Sequence, residues 1–163
     1  TNKSINKYSP LTMILWLYKF SKNSKIYINK AAKKINSKSN SDFLRIFIDV
    51  TIQSSIGKFF TYKFKASILW EYYLLSMNKK VGEEALKNYL KAKNAWIVAA
   101  KISKKYYLKD LSYGPQSWLR GRWDDRLPAI IKDIDDMINI IKKNKKKYRN
   151  VKKDLDFINY VKK

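Results

Sequence analysis

The sequence predicts an all-α protein, an antiparallel bundle of about four long helices with an ordered loop before the last of them. Apolar residues recur every three or four positions through four long segments, the spacing of a buried helix face. Short turn-forming stretches separate these segments, and short connections make neighbouring helices antiparallel. The remaining stretch, 106–131, gathers two of the four glycines (Gly114, Gly121) and two of the three prolines (Pro115, Pro128), which specifies a shaped loop between helical arms.

The first helix begins at Ser9-Pro10, with serine as cap and proline where its missing N–H costs nothing. Leu11, Ile14, Leu15, Tyr18, Ile28, Ala31 and Ile35 give its apolar stripe, and Ser37 to Asn40 breaks it. A second helix restarts at Ser41-Asp42 and runs to about Met77, so long that a kink is expected near Gly57. One face carries Phe43, Ile46, Phe47, Val50, Ser54, Phe60, Phe64, Ile68 and Leu75; Ile48, Ile52, Ile56 and Phe59 form another. A helix apolar on two sides belongs in the centre of a bundle. Asp49 and Gln53, one turn apart, are the polar residues expected to be buried here, Asp49 as a core ion pair with Arg45 or an arginine of the 120s, or else as an acid or base. Lys58, Lys63 and Lys65 read as solvated or snorkelling.

After a turn at Asn78 to Val81, Gly82-Glu83-Glu84 opens a third helix with acids that complement its dipole. Ala85, Tyr89, Ala92, Trp96, Ala99, Ser103 and Tyr106 alternate small and large residues along one seam, the pattern of close helix packing. Pro128 opens a fourth helix that buries Ile130, Ile131, Ile134, Met137, Ile138 and Ile141. Asp133, Asp135 and Asp136 stand early in it and Lys142 and Lys143 late, again matching the dipole. Residues 1–143 form the bundle, and 144–163 a basic amphipathic segment, with Val151, Leu155 and Ile158 at helical spacing, docked on the bundle or extending from it.

The loop supports two readings. Arg120, Arg122 and Arg126 beside Tyr113, Trp118 and Trp123 form a rim that grips a planar or anionic partner by forked hydrogen bonds and stacking. Alternatively the same residues form an internal clamp, in which Asp124 and Asp125 start the next helix, the arginines pair with acids, and the tryptophans plug the end of the bundle.

At 163 residues, 45% hydrophobic and 15% aromatic, the chain supports one domain with a real core. It contains no cysteine and no histidine, which excludes disulfides, thiolate nucleophiles, the usual zinc ligands and every scheme that needs an imidazole. No catalytic, cofactor or metal site is expected, since no phosphate-cradling glycine loop or metal-ligand spacing occurs. A net charge of +23, from 36 basic and 13 acidic residues, attracts polyanions. Abundant Lys, Asn, Ile and Tyr also follow from AT-rich coding, so part of that charge is compositional. Residues 11–20 are apolar but only about half a membrane span long, so a core helix is expected and no transmembrane segment. The first residue is Thr, so the chain is expected to be a piece of something larger.

Asp49-Val50 with Gln53, Lys63-Phe64-Lys65-Ala66, the Ala85 to Trp96 helix and above all Leu119-Arg120-Gly121-Arg122-Trp123-Asp124-Asp125-Arg126-Leu127-Pro128-Ala129-Ile130, followed by Asp133-Ile134, carry a resemblance. Over roughly residues 10–138 the chain resembles the C-terminal helical module of large bacterial proteins related to glycoside hydrolases. The lysine content and the tail after Asn144 depart from that pattern. The resemblance implies a non-catalytic accessory region that follows a catalytic barrel, in an exported, periplasmic or extracellular protein, with that catalytic domain and a glycan as partners. Two alternatives stand beside it: a basic module, cytoplasmic in that case, that sets lysines on the phosphates and aromatics on the bases of a nucleic acid, and a small scaffold or effector acting through protein contacts.

Overall fold

The structure, a computed structural model, describes residues 8–35, 40–112, 115, 120–144 and 151–162. It is all-α, with helices α1 (Pro10–Lys34), α2 (Ser41–Ser76), α3 (Lys79–Tyr106), α4 (Leu127–Lys143) and α5 (Val151–Lys162). Between α3 and α4 lie a two-residue antiparallel ladder, β1 (Leu111–Ser112) against β2 (Arg120–Gly121), and one turn of 3-10 helix, Trp123–Arg126.

The breaks follow from side chains that offer the backbone an alternative partner. Ser9 accepts the Thr12 amide at 3.1 Å, Asn40 the Phe43 amide at 2.9 Å and Asn78 the Lys80 amide at 2.9 Å, capping α1, α2 and α3 in turn. Met77 stops α2 in the left-handed region, with φ 55°.

Helix α2 is the central rod, 36 residues and so ~54 Å long. Helices α1 and α3 pack against it, α4 packs on α3, and α5 on both α2 and α3. The main core lies among α2, α3, α4 and α5, where Leu69, Tyr73, Val81, Ala85, Ala92 and Ile141 are buried. Tyr89 on α3 donates its hydroxyl to Asp133 on α4 at 2.5 Å. Burial first, then that bond and the carboxylate's charge, hold the Tyr89 hydroxyl above its ordinary pKa.

One corner ties four of the five described helices. Asn144, just past α4, donates to the Met77 carbonyl at 2.7 Å and to the Tyr73 hydroxyl at 3.3 Å. Asp154 on α5, 1% exposed, accepts from Tyr72 at 2.8 Å and from the Asn78 amide at 2.6 Å.

Helix α1 lies apart from this corner and buries a narrow seam, Ile14, Ser21 and Ile28, seven residues apart. Gly57 permits that approach, since a Cβ there would collide with the Ser21 hydroxyl. The helix runs unbroken through Gly57, where the sequence leads one to expect a kink, and the glycine there faces Ser21 of α1. The seam is too narrow to cover everything the apolar pattern marked. Leu15 and Tyr18 on α1 and Ile46, Phe60, Phe64 and Leu75 on α2 stay exposed.

Candidate functional site

The loop that stands out in the sequence turns many of its polar groups onto itself and onto α3. The ring of Phe59 on α2 lies 4.8 Å from that of Trp96 on α3, which in turn meets Trp123 edge to face at 5.3 Å. Trp96 also donates its indole Nε1 to the Trp123 carbonyl at 2.7 Å. Asp125 accepts the Arg122 amide at 2.6 Å, Arg122 Nε lies 3.2 Å from Asp124 Oδ1, and the Lys104 ammonium stands 3.8 Å from Asp124 Oδ2. Gly121, at φ 129°, leaves room for Asp125, and a side chain there would be both strained and in its way. Arg120 forks onto Asp110 through Nε at 3.0 Å and Nη2 at 2.7 Å beside the β1–β2 ladder. That guanidinium holds the Asp110 carboxyl below its usual range, although both partners are exposed and the pair contributes little to stability. Arg126 is exposed at the end of the 3-10 turn. Tyr113 and Trp118 lie outside the described residues.

Asp49 and Gln53 are exposed, contrary to the burial expected of them. The reason is where the neighbours sit. They line a cleft of about 450 Å3 between α1 and α2, with Leu17, Phe20, Val50 and Phe60, that neither α1 nor α3 closes. Asp49 accepts the hydroxyl of Tyr107, at the end of α3, in place of the expected arginine. That bond, with lesser help from burial and from the carboxylate's charge, pushes the Tyr107 hydroxyl up to about 12.

A wider concavity lies elsewhere, and it follows from the packing. Helices α1 and α3 each lie on α2 but barely touch one another, so a groove runs between them with α2 as its floor. Its wider part has a volume of about 740 Å3. Helix α1 contributes Tyr18, Lys22, Lys25 and Asn29; α2 contributes Lys58 and Tyr62; α3 contributes Lys91 and Asn94. A narrower part of about 350 Å3 shares Tyr18, Tyr62 and Lys91 and adds Lys65, Lys87 and the single acid Glu84. The ammonium of Lys22 stands 5.8 Å from the ring centre of Tyr18, and that of Lys91 stands 5.5 Å from that of Tyr62. Partial burial, and then the charge of Lys91, hold the Lys65 ammonium below its ordinary value.

Compared with protein-family models, curated proteins and solved structures, the chain matches none. Among the described residues no cluster of three or more carboxylate side chains could hold a metal ion, and no helix is long and apolar enough to cross a membrane.

Chemically, the groove concentrates cations, tyrosine rings and neutral amides on α1, α2 and α3, which suits binding of an anionic ligand. Sequence reading missed it because each lysine, taken alone, is an ordinary solvated side chain. It missed Asp154 as well, although a signal was present: Asp154, Ile158 and Val161 fall at i, i+4 and i+7, so the acid lies on the buried stripe of α5.

Proposed function

We propose that this chain is a non-catalytic helical accessory module of a carbohydrate-processing protein, with the groove between α1 and α3 as its ligand-binding face. In this reading the catalytic domain lies elsewhere in a longer, exported protein. The observation that supports it is how the two features divide. Among the loop residues that carry the likeness to helical modules of glycoside-hydrolase-related proteins, Trp123 packs on Trp96, and Asp124 and Asp125 bond within the loop to the guanidinium and the backbone amide of Arg122. The groove, meanwhile, is open, and its volume of about 740 Å3 is that of a small-ligand cleft. With Asp124 on the Arg122 guanidinium and Asp125 on the Arg122 backbone amide inside one turn, the two acids are not placed as an acid and base flanking a glycosidic bond. Tyr18, Tyr62, Asn29 and Asn94 supply the rings and amides that sugar hydroxyls and ring faces meet.

A panel of polysaccharides tests this directly. Retention of at least one, with no release of reducing sugar, is the expected result. Turnover that disappears in Asp49→Ala or Asp124→Ala would overturn the non-catalytic assignment. Failure to bind any saccharide would overturn the carbohydrate assignment.

A second reading, binding of single-stranded nucleic acid in the same groove, draws on its lysines. Tighter binding of an oligonucleotide than of every polysaccharide would select it.

A further inference from the structure

Resting on the carbohydrate-module reading, we infer that the groove between α1 and α3 takes an acidic polysaccharide, whose carboxylates or sulfates lie along lysines presented by all three surrounding helices. The first argument is charge. Lys22, Lys25, Lys58 and Lys91 line the wider part, and no carboxylate is among its lining residues. Like charges facing one another across protein walls repel, and a ligand bearing negative charge relieves that repulsion where a neutral sugar does not.

The second argument is extent. Helical rise separates Lys22 from Lys25 by ~4.5 Å along α1, Lys87 from Lys91 by ~6 Å along α3 and Lys58 from Lys65 by ~10.5 Å along α2. Cations therefore recur along both walls and the floor, beyond the reach of one small anion and in keeping with a polymer that carries a charge on successive units.

The third argument separates a saccharide from a nucleic acid. Sequence-independent binding of single strands uses open aromatic faces on which bases stack. Here one face of each of Tyr18 and Tyr62 carries an ammonium, that of Lys22 or Lys91, which favours an anionic substituent beside the ring over a base stacked on that face. Those ammoniums are held where an anionic substituent reaches them, while Asn29 and Asn94 beside them pair with hydroxyls. The chemistry shared by uronate and sulfated chains, an anionic group on a hydroxyl-rich backbone, is what this arrangement reads.

The test uses the full chain and four probes: polygalacturonate for carboxylates, dextran sulfate for sulfates, neutral dextran, and a single-stranded oligothymidylate. Polygalacturonate or dextran sulfate is expected to bind more tightly than both dextran and the oligonucleotide. Lys22→Gln, Lys25→Gln, Lys58→Gln and Lys91→Gln together are expected to lower that affinity by at least roughly tenfold, about 1.4 kcal/mol. A control with the same charge change on exposed lysines, Lys19→Gln, Lys33→Gln, Lys152→Gln and Lys153→Gln, keeps it, and arginine at the four groove positions retains binding. Should the groove variant lose its fold, Lys25→Gln and Lys58→Gln singly carry the same comparison. Equal binding of dextran and the acidic chains would leave the carbohydrate module standing and overturn the acidic preference. Tighter binding of the oligonucleotide would overturn both. An equal loss in the control variant would show a diffuse field in place of a groove and overturn the site.

Discussion

The indole Nε1 of Trp96 donates to the backbone carbonyl of Trp123 at 2.7 Å while the two rings meet edge to face, so one residue of α3 holds the loop by both its polar and its apolar parts. Trp123→Ala is expected to cost roughly 3 kcal/mol, the low end for deleting a packed tryptophan because this one is only partly buried. Trp96→Phe keeps much of the ring contact and loses the donor, at about 1 kcal/mol. Urea melts of the two variants give the comparison. Wild-type stability in Trp123→Ala would show that the loop does not secure α4.

Asp154 is the buried acid on which α5 depends. Asp154→Ala strands the Asn78 amide and the Tyr72 hydroxyl, an expected cost of about 1–3 kcal/mol. Asp154→Asn retains an acceptor and should cost less. Hydrogen exchange is expected to show α5 losing protection in the alanine variant while α3 keeps it. Unchanged protection of α5 would refute this role.

Two helical glycines should respond in opposite senses to alanine. At Gly82 an added Cβ would stand 3.0 Å from the Tyr73 ring and 3.1 Å from Ile141, both buried side chains. Overpacking of ~1–3 kcal/mol there outweighs the gain in helix propensity of ~1 kcal/mol. At Gly57 the obstacle is the Ser21 hydroxyl, which donates to the Leu17 carbonyl and can rotate away. Gly57→Ala combined with Ser21→Ala is therefore expected to melt at or above the wild-type temperature, and Gly82→Ala below it.

Alkaline titration reads the Tyr107–Asp49 bond. The folded protein keeps the Tyr107 proton up to about 12, whereas an unfolded tyrosine releases it near ~10. The contribution of the neutral hydroxyl is thus present in full below pH ~10 and is lost as pH rises through about 12, where stability falls with pH. Tyr107→Phe should flatten the decline across that window. A decline identical to that of the wild type would show that the bond is not made in solution.

Where one side chain lies against its own neighbours, the sequence is legible. The seam from Ala85 through Tyr89, Ala92, Trp96 and Ala99 to Ser103 is buried because small and large residues at alternating spacings fit a closely approaching partner, while Tyr106, the last residue the pattern marked, is exposed at the end of α3. The buried face of α4 follows its spacing too, with Ile131 exposed and Ile138 partly so, at the margins of the stripe. What depends on how far two helices stand apart is not legible. Nothing local to Asp49 or Gln53 reveals that α1 and α3 leave that flank of α2 open, nor that Lys22, Lys58 and Lys91, on three helices, face one cavity. Asp154 was legible in principle, but its carboxylate resembles any surface acid until Tyr72 and Asn78 are brought to it.

The corner at Met77 is also a matter of timing. Its backbone turn is local, yet Asn144 reaches Met77 across 67 positions, and Asp154 reaches Asn78 and Tyr72 across 76 and 82. On a ribosome the hairpin of α2 and α3 therefore emerges with these polar groups still facing water. Only when residue 154 clears the exit tunnel can a carboxylate replace that water, so a helix translated well after the hairpin is the one that seals the joint between α2 and α3.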